Sequence, residues 1–222
     1  IMGGYFATHQ GFDKEISLAI SEQYLPIGLD SKNPKKPYSV VLSATDKIDT
    51  LTGFFGINEK PTSSKDPFAL RRIALGIIRI IIENKKNLKL KDLLNYSSIL
   101  YQDQKFFFKN NDLQKDLNVF LIDRFKYYLK EKQIRFDIIE ATISSVSLNK
   151  LYSSFEKAKS LNKIINSYKG LDIILSYKRA SNILNNEIKN KDIEITNTTD
   201  PGIFKNDCLL YTSDAADEQF GV

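Results

Sequence analysis

Cysteine and histidine are almost missing from this chain: its 222 residues include one of each. That scarcity excludes an internal disulfide framework, a zinc knuckle and a multi-histidine metal centre. Long hydrophobic runs are missing as well. The longest, Ile73 to Ile82, is too short to cross a bilayer and has Arg79 inside it. No stretch reads as a signal peptide, so the expectation is a cytoplasmic protein with no membrane partner. Nor is there an acidic excess: 32 Lys and Arg stand against 27 Asp and Glu, a net charge of +5. That balance suits an approach to a polyanion, and it equally suits the Lys, Asn and Ile bias of an AT-rich genome. What is present is apolar material. At 42% hydrophobic residues the chain can fill the core of one large or two small domains, which excludes a disordered protein.

The apolar residues recur with helical spacing, and no strand pattern or internal repeat stands out. Asp13 to Tyr24 puts Ile16, Ala19, Ile20 and Tyr24 on one face. Pro26 to Pro37 reads as a surface connector. Val40 to Gly53 carries a stripe of Val41, Ala44, Ile48 and Leu51, with Gly53 placed to end it. Asp66-Pro67 predicts a capped helix start, and the helix runs to about Asn84, apolar nearly all round and so central and buried. Its polar stripe is Arg72, Gly76, Arg79 and Glu83. After a polar link from Asn84 to Lys91 the pattern predicts helices at Leu117 to Lys130, Asp137 to Ser144 (Asp137 and Glu140 spaced as a capping box), Leu151 to Ile165, and about Leu171 to Ile188. Gly170 is expected to separate the last two.

The ends look unlike natural termini. Ile1 to Gly4 reads as if cut from a longer protein. From Cys208 the string CLLYTSDAADE resembles the conceptual translation of a transposase-type sequencing adapter. Residues 208–222 are therefore set aside as a non-native tail. Without Asp214, Asp217 and Glu218, 24 acidic residues face 32 basic ones, a charge of +8, and the sole cysteine disappears.

Four groups of residues can carry chemistry. Asp46 and Asp49, three apart on one helix side, can hold a divalent cation or shift each other's pKa; the favoured reading is an ion-pair network with Arg71 and Arg72, because further metal ligands are lacking. Arg71 and Arg72 lie early in a helix, where the macrodipole disfavours cations, so a carboxylate or an RNA phosphate should compensate them. The run Lys105 to Lys109, KFFFK, is either a stacking platform for bases or an anchor onto the core. Arg124, Lys126 and Tyr127 on one helix, with Lys178, Arg179 and Asn182 on another, mix cations with planar polar groups as single-strand RNA readers do. His9 reads as a surface or packing residue.

The strings themselves say more. GGYFATHQGFDKEISLAISEQYLP (Gly3 to Pro26), LSATDKIDTLTGFFGI (Leu42 to Ile57) and PTSSKDPFALRRIALGIIRIIIE (Pro61 to Glu83), followed by FLIDRFKYYL (Phe120 to Leu129), SYKRASNIL (Ser176 to Leu184) and TDPGIF (Thr199 to Phe204), resemble the beta subunit of the bacterial tetrameric glycyl-tRNA synthetase. The resemblance implies a C-terminal portion of a large subunit that lacks its last segment. It also implies an all-α fold: an HD-like helical body over 1–91, then 92–207 leading into a truncated helical anticodon-binding domain that RASNIL (Arg179 to Leu184) begins. Asp46 and Asp49 look like a remnant of the HD fold's aspartate helix. Ser63 stands where the family has glycine, a question of local φ.

By the same resemblance, the chain belongs to a ligase but holds no catalytic residue, metal or cofactor of its own. ATP and Mg2+ are expected at the alpha subunit of an alpha2beta2 assembly, and the beta subunit binds tRNA(Gly). Two rival readings remain: a metal-dependent phosphohydrolase using Asp46, Asp49 and His9, and a purely structural module that docks the alpha subunit.

Overall fold

A computed structural model describes residues 2–28, 30–104 and 108–190, all helix and loop, with no strand among them. The elements are α1 (Met2–His9), α2 (Lys14–Glu22), α3 (Pro37–Gly56), α4 (Leu70–Glu83), α5 (Leu90–Asp103), α6 (Leu113–Glu131), α7 (Phe136–Ile143), a 3-10 turn (Leu148–Lys150), α8 (Leu151–Ile165) and α9 (Tyr168–Asn190). The expected all-α class is what is found. The chain divides into two compact units, residues 1–170 and 171–222. The first contains α1 to α8 and the start of α9, with no break near residue 91; of the second, the described part is the rest of α9. TDPGIF and the tail from Cys208 lie outside the described residues. No described helix is long and apolar enough to cross a membrane.

The centre of the first unit is α4. Leu70, Ala74, Ile77, Ile78, Ile80, Ile81 and Ile82 are all essentially buried, because α3, α6 and α8 all pack on this helix. Around it the core is completed by Leu51 and Phe55 of α3, Leu90 and Leu94 of α5, and Leu117, Leu121 and Phe125 of α6. The expected polar stripe of α4 is half right. Arg72 and Glu83 are exposed, but Gly76 and Arg79 are buried.

Several boundaries move for identifiable reasons. Pro37 is the first residue of α3 rather than the end of the loop, a position where its missing N–H costs nothing. Gly53 sits inside α3 and does not end it; the helix continues to Gly56, whose carbonyl accepts from the amides of Lys109 and Asn110 at 2.8 and 3.1 Å. A Cβ on Gly56 would stand 2.0 Å from the Phe108 ring, so only glycine fits there. Phe108 thus anchors on the core, as one reading of KFFFK expects, while residues 105–107 lie outside the described residues.

Asp66 caps α4, although from four residues upstream: its carboxylate accepts from the amides of Leu70 (2.8 Å) and Arg71 (3.1 Å). Pro67 is outside the helix, and Ala69 takes a left-handed φ of 57° between them. Phe68 stacks on Phe54 at 4.2 Å and pins this turn to α3. Ser63 has no positive φ, so serine fits where the resemblance led one to expect glycine.

Helices α1 and α5 escape the periodicity reading because their buried residues are small or polar: Gly4 and Ala7 in α1, Ser97 and Ser98 beside Leu90 and Leu94 in α5. Helix α2 is found where it is expected, but its buried face is not the expected one. Ser17 and Ala19 face inward while Ile16 and Tyr24 are exposed, because α1 and α2 approach through small residues: a Cβ on Gly4 would lie 2.7 Å from that of Ser21. The capping box of α7 does not form. Glu140 pairs instead with Lys126 of α6 at 3.1 Å, and Asp137 with Arg135 at 2.7 Å. Gly170 lies within α9 rather than before it; its amide donates to Ser167 Oγ, and a Cβ there would meet the Ile164 carbonyl.

Lys47 is the unusual residue of α3, only 4% exposed. Its ammonium donates to the Leu25 carbonyl (2.9 Å) and Ser43 Oγ (3.0 Å), tying the loop after α2 to α3. Burial pulls its pKa down to about 8 from 10.5, with Asp46 opposing. Between those values the unfolded chain holds a proton that the folded chain has released, so stability rises with pH through that window. In Lys47→Met this contribution is absent. The difference in urea-unfolding free energy, native minus variant, is expected to climb from pH 8 to 10.5; parallel profiles would contradict it.

Candidate nucleic-acid interface

The Pro26 to Pro37 connector is not merely a surface loop. Arg79, 6% exposed, reaches into it from α4: its guanidinium donates to the carbonyls of Gly28 and of Ser31 (2.8 Å for the latter), and its Nε donates to Glu83 one turn on at 2.7 Å. Asn33 adds a bond to the Arg79 carbonyl at 3.0 Å. Gly76, one turn before Arg79, leaves room for the loop; a Cβ there would meet Lys47 Cε at 2.9 Å and the Pro26 carbonyl at 3.3 Å. The buried cation thereby folds the loop against α4.

One result is a concavity of about 530 Å³ walled by that loop, α4 and α6. Arg71, Arg72, Arg79, Arg124 and Tyr127 line it, with Asp30 on the loop side. Four guanidinium groups thus face one carboxylate. They are not equally available. The donors of Arg79 are spent on the loop and Glu83, and Arg71 donates to the Thr62 carbonyl. Arg124 pairs with the neighbouring Asp123, while its Nε is sheltered from solvent with no partner among the described residues. The Arg72 side chain is exposed and makes no hydrogen bond or ion pair among the described residues.

Tyr127 and Arg124 are three residues apart and so share a helix face; the guanidinium carbon lies 5.9 Å from the Tyr127 ring centre and equally far from that of Phe120. The nearby Glu131 charge, with burial and a hydrogen bond to Glu131, pushes the Tyr127 phenol pKa up against the opposing pull of Arg124. The ring therefore stays neutral at physiological pH.

The expected site residues divide. Arg124 and Tyr127 join Arg71 and Arg72 in one concavity, a grouping that linear spacing does not reveal. Lys126, two residues from Arg124, projects elsewhere and pairs with Glu140. Lys178, Arg179 and Asn182 are exposed on α9, in the second unit.

The expected ion-pair network is not formed: among the described residues no ion pair joins Asp46 or Asp49 to Arg71 or Arg72. The face of α3 that enters the shared core with α4 is set by Ile48, Leu51 and Phe55, and the two aspartates lie off it. Asp46 accepts from Gln23 at 2.7 Å. Asp49, with burial as the larger cause, helps push the Tyr101 phenol up to about 12. His9 is exposed in the last turn of α1. No three His, Cys, Asp or Glu side chains among the described residues are grouped to hold a metal.

The geometry is that of an all-helical body with an arginine-lined cleft. The family model described as the glycyl-tRNA synthetase beta subunit matches residues 1–144, and the chain belongs to that family. It is 42% identical over 205 residues to the glycine-tRNA ligase beta subunit of Rickettsia canadensis, covering 92% of this chain and 28% of the relative. The corresponding protein of Ruegeria sp. is 34% identical over 98% of the chain and 30% of its own length, and that of Rhodospirillum centenum 37% over 85% and 26%. The chain spans less than a third of the length of these relatives.

Because one guanidinium satisfies two loop carbonyls at once, Arg79→Lys is expected to release the loop without unfolding the body; a single ammonium cannot reproduce the planar fork. Hydrogen exchange should accelerate at the Gly28 amide, which donates to Ser31 Oγ at 3.0 Å, and stay slow in the interior of α6. Unchanged exchange in the loop would contradict the anchoring role.

Proposed function

We propose that this chain is a tRNA-binding part of a glycine-tRNA ligase beta subunit, supporting the ATP-dependent attachment of glycine to tRNA(Gly) in the cytoplasm. The observation that carries the reading is family membership over residues 1–144, a span that contains every residue lining the arginine cleft. Catalysis belongs to a partner alpha subunit, where ATP and Mg2+ act, in an alpha2beta2 assembly. The role of this chain is to hold the tRNA.

Arginine suits that task. Its planar fork grips two phosphate oxygens, and it cannot lose its charge at physiological pH. Phosphate contacts position RNA without reading its sequence. Arg72, with its donors open, is the leading phosphate ligand, and Arg71 and Arg124 supply further donors beside it. The exposed Lys178 and Arg179 on α9 offer a second set of contacts in the anticodon-binding region that the RASNIL string suggests.

Binding through phosphates releases counterions and weakens steeply with salt. The logarithm of the tRNA(Gly) association constant of the full chain, measured by filter binding, is expected to fall linearly with the logarithm of salt concentration. Arg72→Gln should reduce that slope by about one and weaken binding to all tRNA sequences alike. A flat salt profile, or a variant indistinguishable from native, would overturn the reading.

A further inference from the structure

The cleft between α4, α6 and the 23–36 loop is far larger than a single phosphate contact requires. Its volume of about 530 Å³ lies within the range that encloses small-molecule ligands, and it is a recess, whereas the phosphates of a helical stem stand on a convex ridge. Its surface is mostly apolar, and the polar groups on it are placed directionally. Arg71, Arg72 and Arg124 supply cationic donors, Tyr127 supplies a ring that is 38% exposed, and Asp30 supplies an acceptor that repels a second phosphate.

We propose that this cleft seats one nucleotide whose base is unpaired, with the phosphate on Arg72, Arg71 and Arg124 and the base against Tyr127. The assignment rests on the reading of the arginine face as an RNA contact and goes beyond it, from backbone to a flipped-out or single-stranded nucleotide.

Three observations support it. The Arg124 side chain, 20% exposed, lines the cleft beside Arg72, so cations from α6 and α4 converge on the place an anion would take. The Arg124 guanidinium lies over one face of the Tyr127 ring at 5.9 Å, and the 38% of Tyr127 that remains exposed is the surface offered to a base beside that cation. Asp30 is an acceptor suited to a ribose hydroxyl or a base amino group. Arg79 takes no part in binding, since its donors are held by Gly28, Ser31 and Glu83. Its function is to hold the loop wall in place.

The same chemistry is offered by a nucleotide within an RNA strand and by a free mononucleotide, and the test separates them. The full chain is titrated, at one fixed salt concentration, into a fluorescein-labelled five-nucleotide RNA and into a blunt RNA duplex containing the same sequence, with binding followed by anisotropy. The single strand is expected to bind at least about tenfold more tightly. Tyr127→Ala should cost roughly tenfold on the single strand and nothing on the duplex, and Tyr127→Phe, which keeps the stacking ring, should restore affinity. Arg72→Gln should weaken the single strand as well. Circular dichroism of each variant identifies any loss of fold.

Competition by millimolar adenosine monophosphate would support the pocket and make the free nucleotide its source. RNA binding that resists this competitor would assign the nucleotide to an RNA strand. Equal affinity for strand and duplex, or no effect of Tyr127→Ala, overturns the nucleotide pocket. If Arg72→Gln still weakens tRNA in that case, the phosphate-contact reading survives alone; if it weakens nothing, both readings fall.

Discussion

One buried cation organises the first unit. Helix α4 is apolar nearly all round, and three helices close over it. Within that environment Arg79 has to find partners, because a buried charge left unpaired costs several kcal/mol, on the order of the 3–5 measured when one member of a buried pair is removed. It finds them in Glu83 on its own helix and in two carbonyls of the loop between α2 and α3. The loop is irregular, and besides the bond from Ser31 Oγ to the Gly28 carbonyl its carbonyls draw on Arg79, so the need is mutual. Lys47 repeats the arrangement from α3, with the carbonyl of Leu25. The two cations anchor the loop from both sides.

Anchoring the loop creates the cleft. Were the segment from Gln23 to Lys36 a solvated connector, Arg72, Arg124 and Tyr127 would lie on an open surface rather than along a recess. The molecule thus uses positive charge in two ways that share one helix. Arg79 is desolvated and fully engaged in structure, whereas the Arg72 side chain, seven residues earlier, is exposed and without a partner among the described residues. An unpartnered cation in the first turn of a helix is disfavoured by the macrodipole, which makes Arg72 intelligible as a residue that waits for an anion.

Much of this fold was legible in the sequence, and the misses share a cause. Apolar residues recurring every three to four positions reveal α3, α4 and α6, because each buries a face of large side chains. Helix α1 buries Gly and Ala, and α5 buries two serines after Leu90 and Leu94, so neither gives sustained hydrophobic contrast and their faces become visible only when two helices are seen to touch. The polar-stripe reading of α4 placed Gly76 and Arg79 with Arg72 and Glu83 by angle alone. That angle could not reveal a loop lying over the middle of the stripe and leaving its ends exposed.

The site shows the same division more sharply. Sequence alone determined the all-helical class, the central place of the Ile-rich helix, the family, and the chemistry of Arg71, Arg72, Arg124 and Tyr127, because side-chain type, local periodicity and extended motifs are properties of consecutive residues. Only the tertiary structure decided that Asp46 and Asp49 turn away from those arginines, that Lys126 pairs with Glu140 while Tyr127 faces the cleft, and that residues some fifty positions apart share one recess. These outcomes depend on how helices cross and on which loop a buried charge captures, and both are settled by packing between segments that are distant along the chain.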